Sequence, residues 1–158
     1  MELNTSLASI KTNNFKAMKM KQPTPKVGVA VILKRKDKIL VLLRHGSHKS
    51  KTWALPGGHM EIGEEFADTC KREVAEELGV LVAGVKKIDF ANNIFKKEGL
   101  HYVTLYFSAI WDENQEPKIL EPEKIKAIRW VNGLDLPKPF FSKNAGELIR
   151  KFSGTRNK

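Results

Sequence analysis

The sequence predicts a single domain of the α/β class. Short apolar segments rich in β-branched residues flank one long helix-forming segment, and a second helix-forming segment lies near the C-terminus. The chain has 158 residues and 41% of them are hydrophobic, which is enough for one stable core. Its single cysteine excludes an intrachain disulfide, and no Cys/His spacing indicates structural zinc.

The first half of the domain is justified by local patterns. Residues 27–33 and 39–43 are apolar and β-branched, and the polar residues between them predict a hairpin. Residues 53–55 predict a short strand that leads into Pro56. Residues 65–78 contain no Pro or Gly and are rich in helix formers, so they predict a helix that stops at Gly79.

The second half supplies the remaining strands and the last helix. Residues 85–92 and 101–111 predict a second pair of strands around a loop at 96–99. Residues 128–131 predict a final short strand. Residues 142–152 predict a closing helix with its apolar residues on one side.

The two ends of the chain carry most of its net charge of +10. Residues 1–26 contribute +4 and residues 138–158 contribute +5. Basic ends can bind RNA or an acidic membrane, but they more often keep a protein soluble, and no RNP-type motif or zinc finger accompanies them. The sequence therefore does not favour a nucleic-acid partner.

We expect residues 1–24 to be a largely disordered basic leader, the domain to span 25–153, and 154–158 to be a tail. The longest apolar run, 27–33, is too short to span a membrane. A signal-peptide pattern is missing, so a cytoplasmic location is expected.

The most informative segment is 57–80, which holds seven acidic residues. On a helical wheel of about 100° per residue, Glu73, Glu76 and Glu77 fall within an arc of roughly 100°. Carboxylates at these spacings repel one another and weaken a helix, and hard cations with oxygen ligands offset such repulsion. Cys70 lies on the neighbouring apolar arc, so we expect a packed thiol rather than a nucleophile.

Nine positions of this segment follow a fixed spacing. They are Gly58, Glu64, Arg72, Glu73, Val74, Glu76, Glu77, Gly79 and Val80. With this spacing the chain resembles the Nudix hydrolases, a MutT-like family that uses Mg²⁺ to cleave diphosphate linkages. The resemblance implies an α/β/α sandwich around a central mixed sheet.

The resemblance also implies roles for individual residues. The metal ligands it implies are Gly57 through its carbonyl, Glu73, Glu76, Glu77 and a carboxylate of a later loop, for which Glu123 is the candidate and Glu121 is equally close in sequence. Mg²⁺ is the implied cofactor, and Mn²⁺ can substitute. Glu73 or Glu77 would take the proton from the attacking water. Arg72 would orient a glutamate, with Glu64 as its partner.

A narrower resemblance rests on the segments LPGGHMEIGE, NNIF, HYVTLYF, EPKILEPEK and LPKPFF. They resemble the plant and animal branch of the family that hydrolyses purine nucleoside triphosphates, including oxidised guanine nucleotides. The resemblance implies that the substrate contacts are Arg44 at the phosphates, Gly58, Leu55 and Thr104 around the base, and Phe141 closing over it. The chain departs from several relatives at Ser142, where they carry a second aromatic residue. This change predicts a smaller and more polar wall of the base pocket.

The expected reaction converts a (d)NTP and water to a (d)NMP and pyrophosphate, a step that sanitises the nucleotide pool. The sequence leaves other diphosphates open, namely CTP, ADP-ribose, a dinucleoside polyphosphate or a prenyl diphosphate. A different class, an RNA-associated protein that uses its basic ends, also stays open. Because close relatives form homodimers, the resemblance implies a homodimer here.

Overall fold

The computed structural model describes residues 24–46 and 48–154. Within them the elements, in chain order, are β1 (Lys26–Ile32), β2 (Lys34–Arg35), β3 (Lys38–Arg44), β4 (Trp53–Ala54), α1 (Phe66–Leu78), β5 (Val82–Phe95), β6 (Leu100–Trp111), β7 (Ile125–Val131) and α2 (Lys143–Gly154). None of the helices in these ranges is long and apolar enough to cross a membrane.

The strands form two sheets. The first is mixed and has the order β1-β6-β5, in which β1 runs parallel to β6 and β5 runs antiparallel to it. The second is antiparallel and is built around β3, which pairs with β2, β4 and β7. The site described below lies where β1 of the first sheet meets the loop that follows β4 of the second.

The apolar residues form two main clusters, one under each helix. Because side chains of a strand alternate between its two faces, β1 contributes to both clusters. Val29 and Val31 pack with Cys70 and Val74 of α1. On the opposite face Ile32 packs with the buried residues of α2. The sheets therefore hold α1 and α2 on opposite sides.

The α/β sandwich predicted from the sequence is confirmed, with its strands divided between a mixed and an antiparallel sheet. The predicted hairpin of residues 27–33 with 39–43 is wrong. β1 instead pairs with β6, and the local hairpin is confined to its turn, where β3 returns along Lys34–Arg35 and the backbone N–H of Leu40 donates to the carbonyl of Leu33 at 3.0 Å. A parallel partner far along the chain competes with the local hairpin, and β1 takes that partner while its two faces pack against α1 on one side and against α2 and β3 on the other.

The remaining predicted elements are confirmed, and several are longer than expected. β5 extends to Phe95 instead of ending at residue 92, and β7 begins at Ile125 instead of 128. The predicted leader lies outside the described residues, apart from Thr24. The predicted tail lies outside them from residue 155 onward.

Candidate active site

The acidic helix α1 has a defined first residue and ends before a glycine. It begins after Glu65, which has an extended conformation, and ends at Gly79, whose φ of 64° is left-handed. The backbone N–H of Gly79 donates to the carbonyl of Ala75 at 2.9 Å. Cys70 on this helix is fully buried, and burial raises the pKa of its thiol to about 12. The thiol is therefore a core group, as the sequence predicts.

The glycine loop before the helix lies along β1. The backbone N–H of Val31 donates to Pro56 and that of Val29 donates to Gly58, at 2.8 and 2.9 Å. Gly57 has φ of 141°, and a Cβ there would overlap the carbonyl oxygen of Val29. Both the close approach and the backbone conformation therefore require glycine at this position.

The same loop touches two glutamates of α1. The backbone N–H of Gly57 donates to Oε2 of Glu77 at 2.9 Å. The carboxylate of Glu73 occupies the space that a Cβ on Gly58 would fill. The two glycines thus let the loop and two carboxylates come together.

Arg72 hydrogen-bonds three glutamates and one backbone carbonyl of the loop and helix α1. Its Nε and Nη2 donate to the two carboxylate oxygens of Glu64 at 2.6 and 2.9 Å, a bidentate pair. Its Nη1 donates to Glu73 at 2.9 Å and to Glu76 at 3.2 Å. Its Nη2 also donates to the carbonyl of His59 at 3.0 Å. Arg72 therefore positions two glutamates of the helix relative to the loop.

The ion pair changes the proton affinity of both partners. The hydrogen bond from Arg72 and the backbone N–H of Glu61 lower the pKa of Glu64 to about 2. The same pairing raises the pKa of Arg72 above its usual value. Both groups are consequently charged at neutral pH, as an orienting pair requires.

Two carboxylates of the helix are poorly solvated. Glu77 is only 6% exposed, and burial raises the pKa of its carboxyl to about 8, against the opposing effect of the Gly57 hydrogen bond. Burial also raises the pKa of Glu73, and the hydrogen bond from Arg72 opposes this change. Buried carboxylates of this kind are stabilised by a nearby cation.

These side chains line one acidic cavity of about 420 Å³. Its acidic lining residues are Glu61, Glu73, Glu76, Glu77 and Glu121. Glu123, the candidate of the sequence analysis for the later loop, is exposed and is not among the lining residues of this cavity. Glu121 does line this cavity; its side chain is 21% exposed and accepts from Lys124 Nζ at 2.6 Å.

The donor set of this cavity fits a hard divalent cation, which prefers carboxylate oxygens. In the described parts of the chain, however, no three acidic, imidazole or thiol side chains converge closely enough to hold an ion as they stand. Arg72 holds Glu73 and Glu76, while the Gly57 backbone holds Glu77. The carboxylates must therefore exchange some of these contacts when a cation binds.

A second cavity of about 110 Å³ adjoins the acidic one. The residues that line both are Arg44, Gly57, Gly58 and His59. All five substrate contacts expected from the sequence line the second cavity, namely Arg44, Leu55, Gly58, Thr104 and Phe141. Its described lining includes no carboxylate. The two cavities therefore differ in chemistry and share a wall.

Aromatic rings form the rim of the second cavity. The guanidinium of Arg44 lies 4.8 Å from the ring centroid of Phe141, and burial lowers the pKa of Arg44. His48 makes edge contacts with Phe141 and with Phe95. Tyr102 lies beside His48 and His59. The rim thus offers flat apolar surface next to one guanidinium.

The structure adds residues that the sequence analysis missed. Asn93 and Tyr106 line the second cavity and are buried, beside Ser142, which the sequence already predicted as a polar wall of this pocket. Asn93 could have been found from strand alternation, because it lies between the inward positions Ala91 and Phe95. His101 lies outside both cavities, where its Nε2 is 3.3 Å from Asn92.

Comparisons with known proteins agree with this geometry. The sequence pattern of the NUDIX domain family matches residues 23–152. The m7GpppN-mRNA hydrolase NUDT17 of Homo sapiens is 29% identical over 122 residues, which cover 66% of this chain and 37% of that protein. The nucleoside triphosphatase NudI of Escherichia coli is 32% identical over 93 residues, which cover 53% of this chain and 64% of that protein.

A solved structure gives the same result at the level of the fold. The crystal structure of a MutT NUDIX hydrolase from Burkholderia pseudomallei matches with a TM-score of 0.74 at 26% identity, covering 82% of this chain and 98% of that one. The matched region spans between 37% and 64% of the length of the two curated relatives named above.

Proposed function

This chain belongs to the Nudix family of hydrolases, which act on diphosphate-containing substrates, and on that basis we propose that it is a Mg²⁺-dependent pyrophosphohydrolase of nucleoside triphosphates. The reaction converts a (d)NTP and water to a (d)NMP and pyrophosphate. The observation that carries this proposal is the wall that the two cavities share. A nucleotide has a neutral base and a charged phosphate chain. The base matches the second cavity, which has no carboxylate in its described lining, and the phosphate chain with its cations matches the acidic cavity.

The acidic cavity would accept the phosphates together with their counter-ions. The residues that would hold Mg²⁺ are Glu73, Glu76, Glu77, the carbonyl of Gly57 and a carboxylate of the later loop. The cavity lining favours Glu121 over Glu123 for this last position. When bound, Mg²⁺ supplies positive charge beside the phosphates and makes a coordinated water more acidic. Mn²⁺ can replace it, because it accepts the same oxygen ligands.

The side chains of the protein have distinct tasks in this reaction. Arg72 and Glu64 hold Glu73 and Glu76 in orientation through the bonds described above. Arg44 lies in the wall between the cavities, where its fork of donors suits a phosphate oxygen. Glu73 or Glu77 accepts the proton of the attacking water.

The neutral cavity would hold the base. Leu55 and Phe141 offer it apolar contact, while Thr104 offers a hydroxyl. The similarity to the nucleoside triphosphatase NudI supports a nucleoside triphosphate, and a purine, ordinary or oxidised, is our choice of base. A homodimeric assembly and a cytoplasmic location stay predictions of the sequence analysis.

A substrate screen tests this proposal. The protein would be assayed with the ordinary and oxidised (d)NTPs, CTP, ADP-ribose, a dinucleoside polyphosphate, a prenyl diphosphate and a triphosphorylated RNA. We expect the highest kcat/KM with a purine nucleoside triphosphate, a requirement for Mg²⁺, and loss of activity with a chelator. Preference for the conjugates, for the prenyl compound or for RNA would contradict the proposal.

A further inference from the structure

Asn93 is a polar residue in the base cavity to which the sequence analysis gave no role. It is 7% exposed and lies on the inward face of β5, between the inward residues Ala91 and Phe95. Its neighbour Asn92 points to the opposite face and is exposed. A buried amide at an otherwise apolar strand position costs free energy unless its hydrogen bonds are made.

Asn93 belongs to a row of neutral polar side chains, here called the polar floor, formed by Asn93, Thr104, Tyr106 and Ser142. Nδ2 of Asn93 donates to Oγ1 of Thr104 at 2.9 Å. The hydroxyls of Tyr106 and Ser142 are 3.4 Å apart. Ser142 Oγ in turn accepts from the backbone N–H of Ala145 in α2 at 3.2 Å. All four residues of the floor line the base cavity.

The polar floor retains hydrogen-bonding capacity for a ligand. A primary amide has two donors and an acceptor with two lone pairs, and the bonds above use only part of them. Thr104 accepts from Asn93, so its own hydroxyl proton is available to an acceptor on a ligand. An apolar ligand would displace water from these groups without replacing its hydrogen bonds, which is costly.

The charged groups around the base cavity also restrict the kind of ligand that can bind there. Its described lining includes no carboxylate, while Arg44 supplies a positive charge at its mouth. A cationic group would therefore find no carboxylate in the cavity to neutralise it. A neutral group needs no counter-charge. The cavity thus suits a neutral and polar planar group.

We propose that Asn93 is a specificity-determining residue that selects, through the polar floor, a substrate whose buried part is a neutral base with hydrogen-bonding groups over one with an apolar group. The inference rests on the proposed function and names the class of substrate for the same site. It also separates the candidates left open by the sequence, because a prenyl diphosphate has no hydrogen-bonding group to place in this cavity.

The test compares three substrates in the presence of Mg²⁺: dGTP, purine 2′-deoxyriboside triphosphate, which lacks the exocyclic groups, and geranyl diphosphate. For the wild-type protein we expect kcat/KM to fall in that order. In Asn93→Leu, of similar size but apolar, we expect the preference for dGTP over each of the other two to shrink by about 5- to 150-fold, the equivalent of one lost buried hydrogen bond. Asn92→Leu is the matched control, and its preference should equal that of wild type.

Each outcome has a defined meaning. If Asn93→Leu keeps the wild-type preference while it melts like a folded protein, the inference is wrong and the proposed function stands. If the wild-type protein hydrolyses no nucleoside triphosphate, the proposed function fails and the inference falls with it. If Asn93→Leu does not fold, Asn93→Ser replaces it, because serine is smaller and still polar but lacks the amide. The same loss of preference is expected from that variant, and an unchanged preference would overturn the inference.

Discussion

Replacing Gly58 by alanine should separate catalysis from stability. Gly58 is not in the left-handed region, so alanine can adopt its backbone conformation without strain. The new Cβ would overlap the carboxylate of Glu73 and no described backbone atom is among its nearest neighbours. The carboxylate must therefore rotate away, and it loses the 2.9 Å bond from Arg72.

The expected loss of stability is small. A hydrogen bond to a charged group contributes about 1.5–3 kcal/mol. The lower end applies here because the Arg72 and Glu73 side chains keep 24% and 13% of their exposure. Alanine offsets about 0.4–1 kcal/mol of this by restricting the unfolded chain. The net cost is about 1 kcal/mol, or about 2–4 °C in Tm.

The expected loss of activity is large. Displacing a carboxylate that orients or binds the cofactor lowers metal affinity or turnover by about 10- to 100-fold. We would measure kcat and its Mg²⁺ dependence beside Tm from circular dichroism. Gly99→Ala is the control. Its φ of 64° is strained for alanine and should cost about 1–2 kcal/mol of stability. A Cβ at Gly99 would meet no described atom within 4 Å, so this variant disturbs no side chain of the site. It should lose stability and keep its kcat.

Normal kcat and normal Mg²⁺ dependence in a folded Gly58→Ala protein would refute this reasoning, because Glu73 would then have no required position. A much larger fall in Tm than in Gly99→Ala would refute the steric part, because it would mean that the backbone had moved.

Three further variants test other parts of the site. Glu77→Gln should lower kcat far more than KM, since the lost charge acts in the transition state, and near-normal turnover at saturating Mg²⁺ would argue against the metal-site proposal. Arg44→Lys should raise KM for nucleoside triphosphates about tenfold, since an ammonium cannot reproduce the guanidinium fork, and an unchanged KM would exclude the phosphate contact. For Glu64, Arg72 lowers the folded pKa from 4.5 to about 2, so the pair stabilises the fold above pH 4.5 and this stabilisation is lost as pH falls toward 2. In urea unfolding, Glu64→Gln should be less stable than wild type at neutral pH and should approach it near pH 2; an equal difference at both would contradict the pairing.

The acidic helix could be predicted from sequence because its signals are local. The run from 65 to 78 contains no helix breaker, and Gly79 supplies the left-handed stop in place. The partner of β1 could not be predicted in this way. Val27 pairs with Val103, and nothing near Val27 in sequence encodes a parallel partner so distant.

The substrate side of the site shows the same limit. The family resemblance assigned Arg44 and Thr104 to substrate binding, and both line the second cavity. It named Glu123 as the carboxylate of the later loop, whereas Glu121 lines the acidic cavity, because tertiary contacts decide which of two carboxylates in a turn faces inward. Asn93 was missed because the predicted strand ended at residue 92, one position before the inward-facing amide.

The most direct test of the central claim is the identity of the products. Phosphorus NMR of a purine nucleoside triphosphate incubated with the protein and Mg²⁺ would follow both products at once. We expect nucleoside monophosphate and pyrophosphate in equal amounts, with neither product formed by Glu77→Gln at a comparable rate. Nucleoside diphosphate and inorganic phosphate as products, or an intact triphosphate, would contradict it.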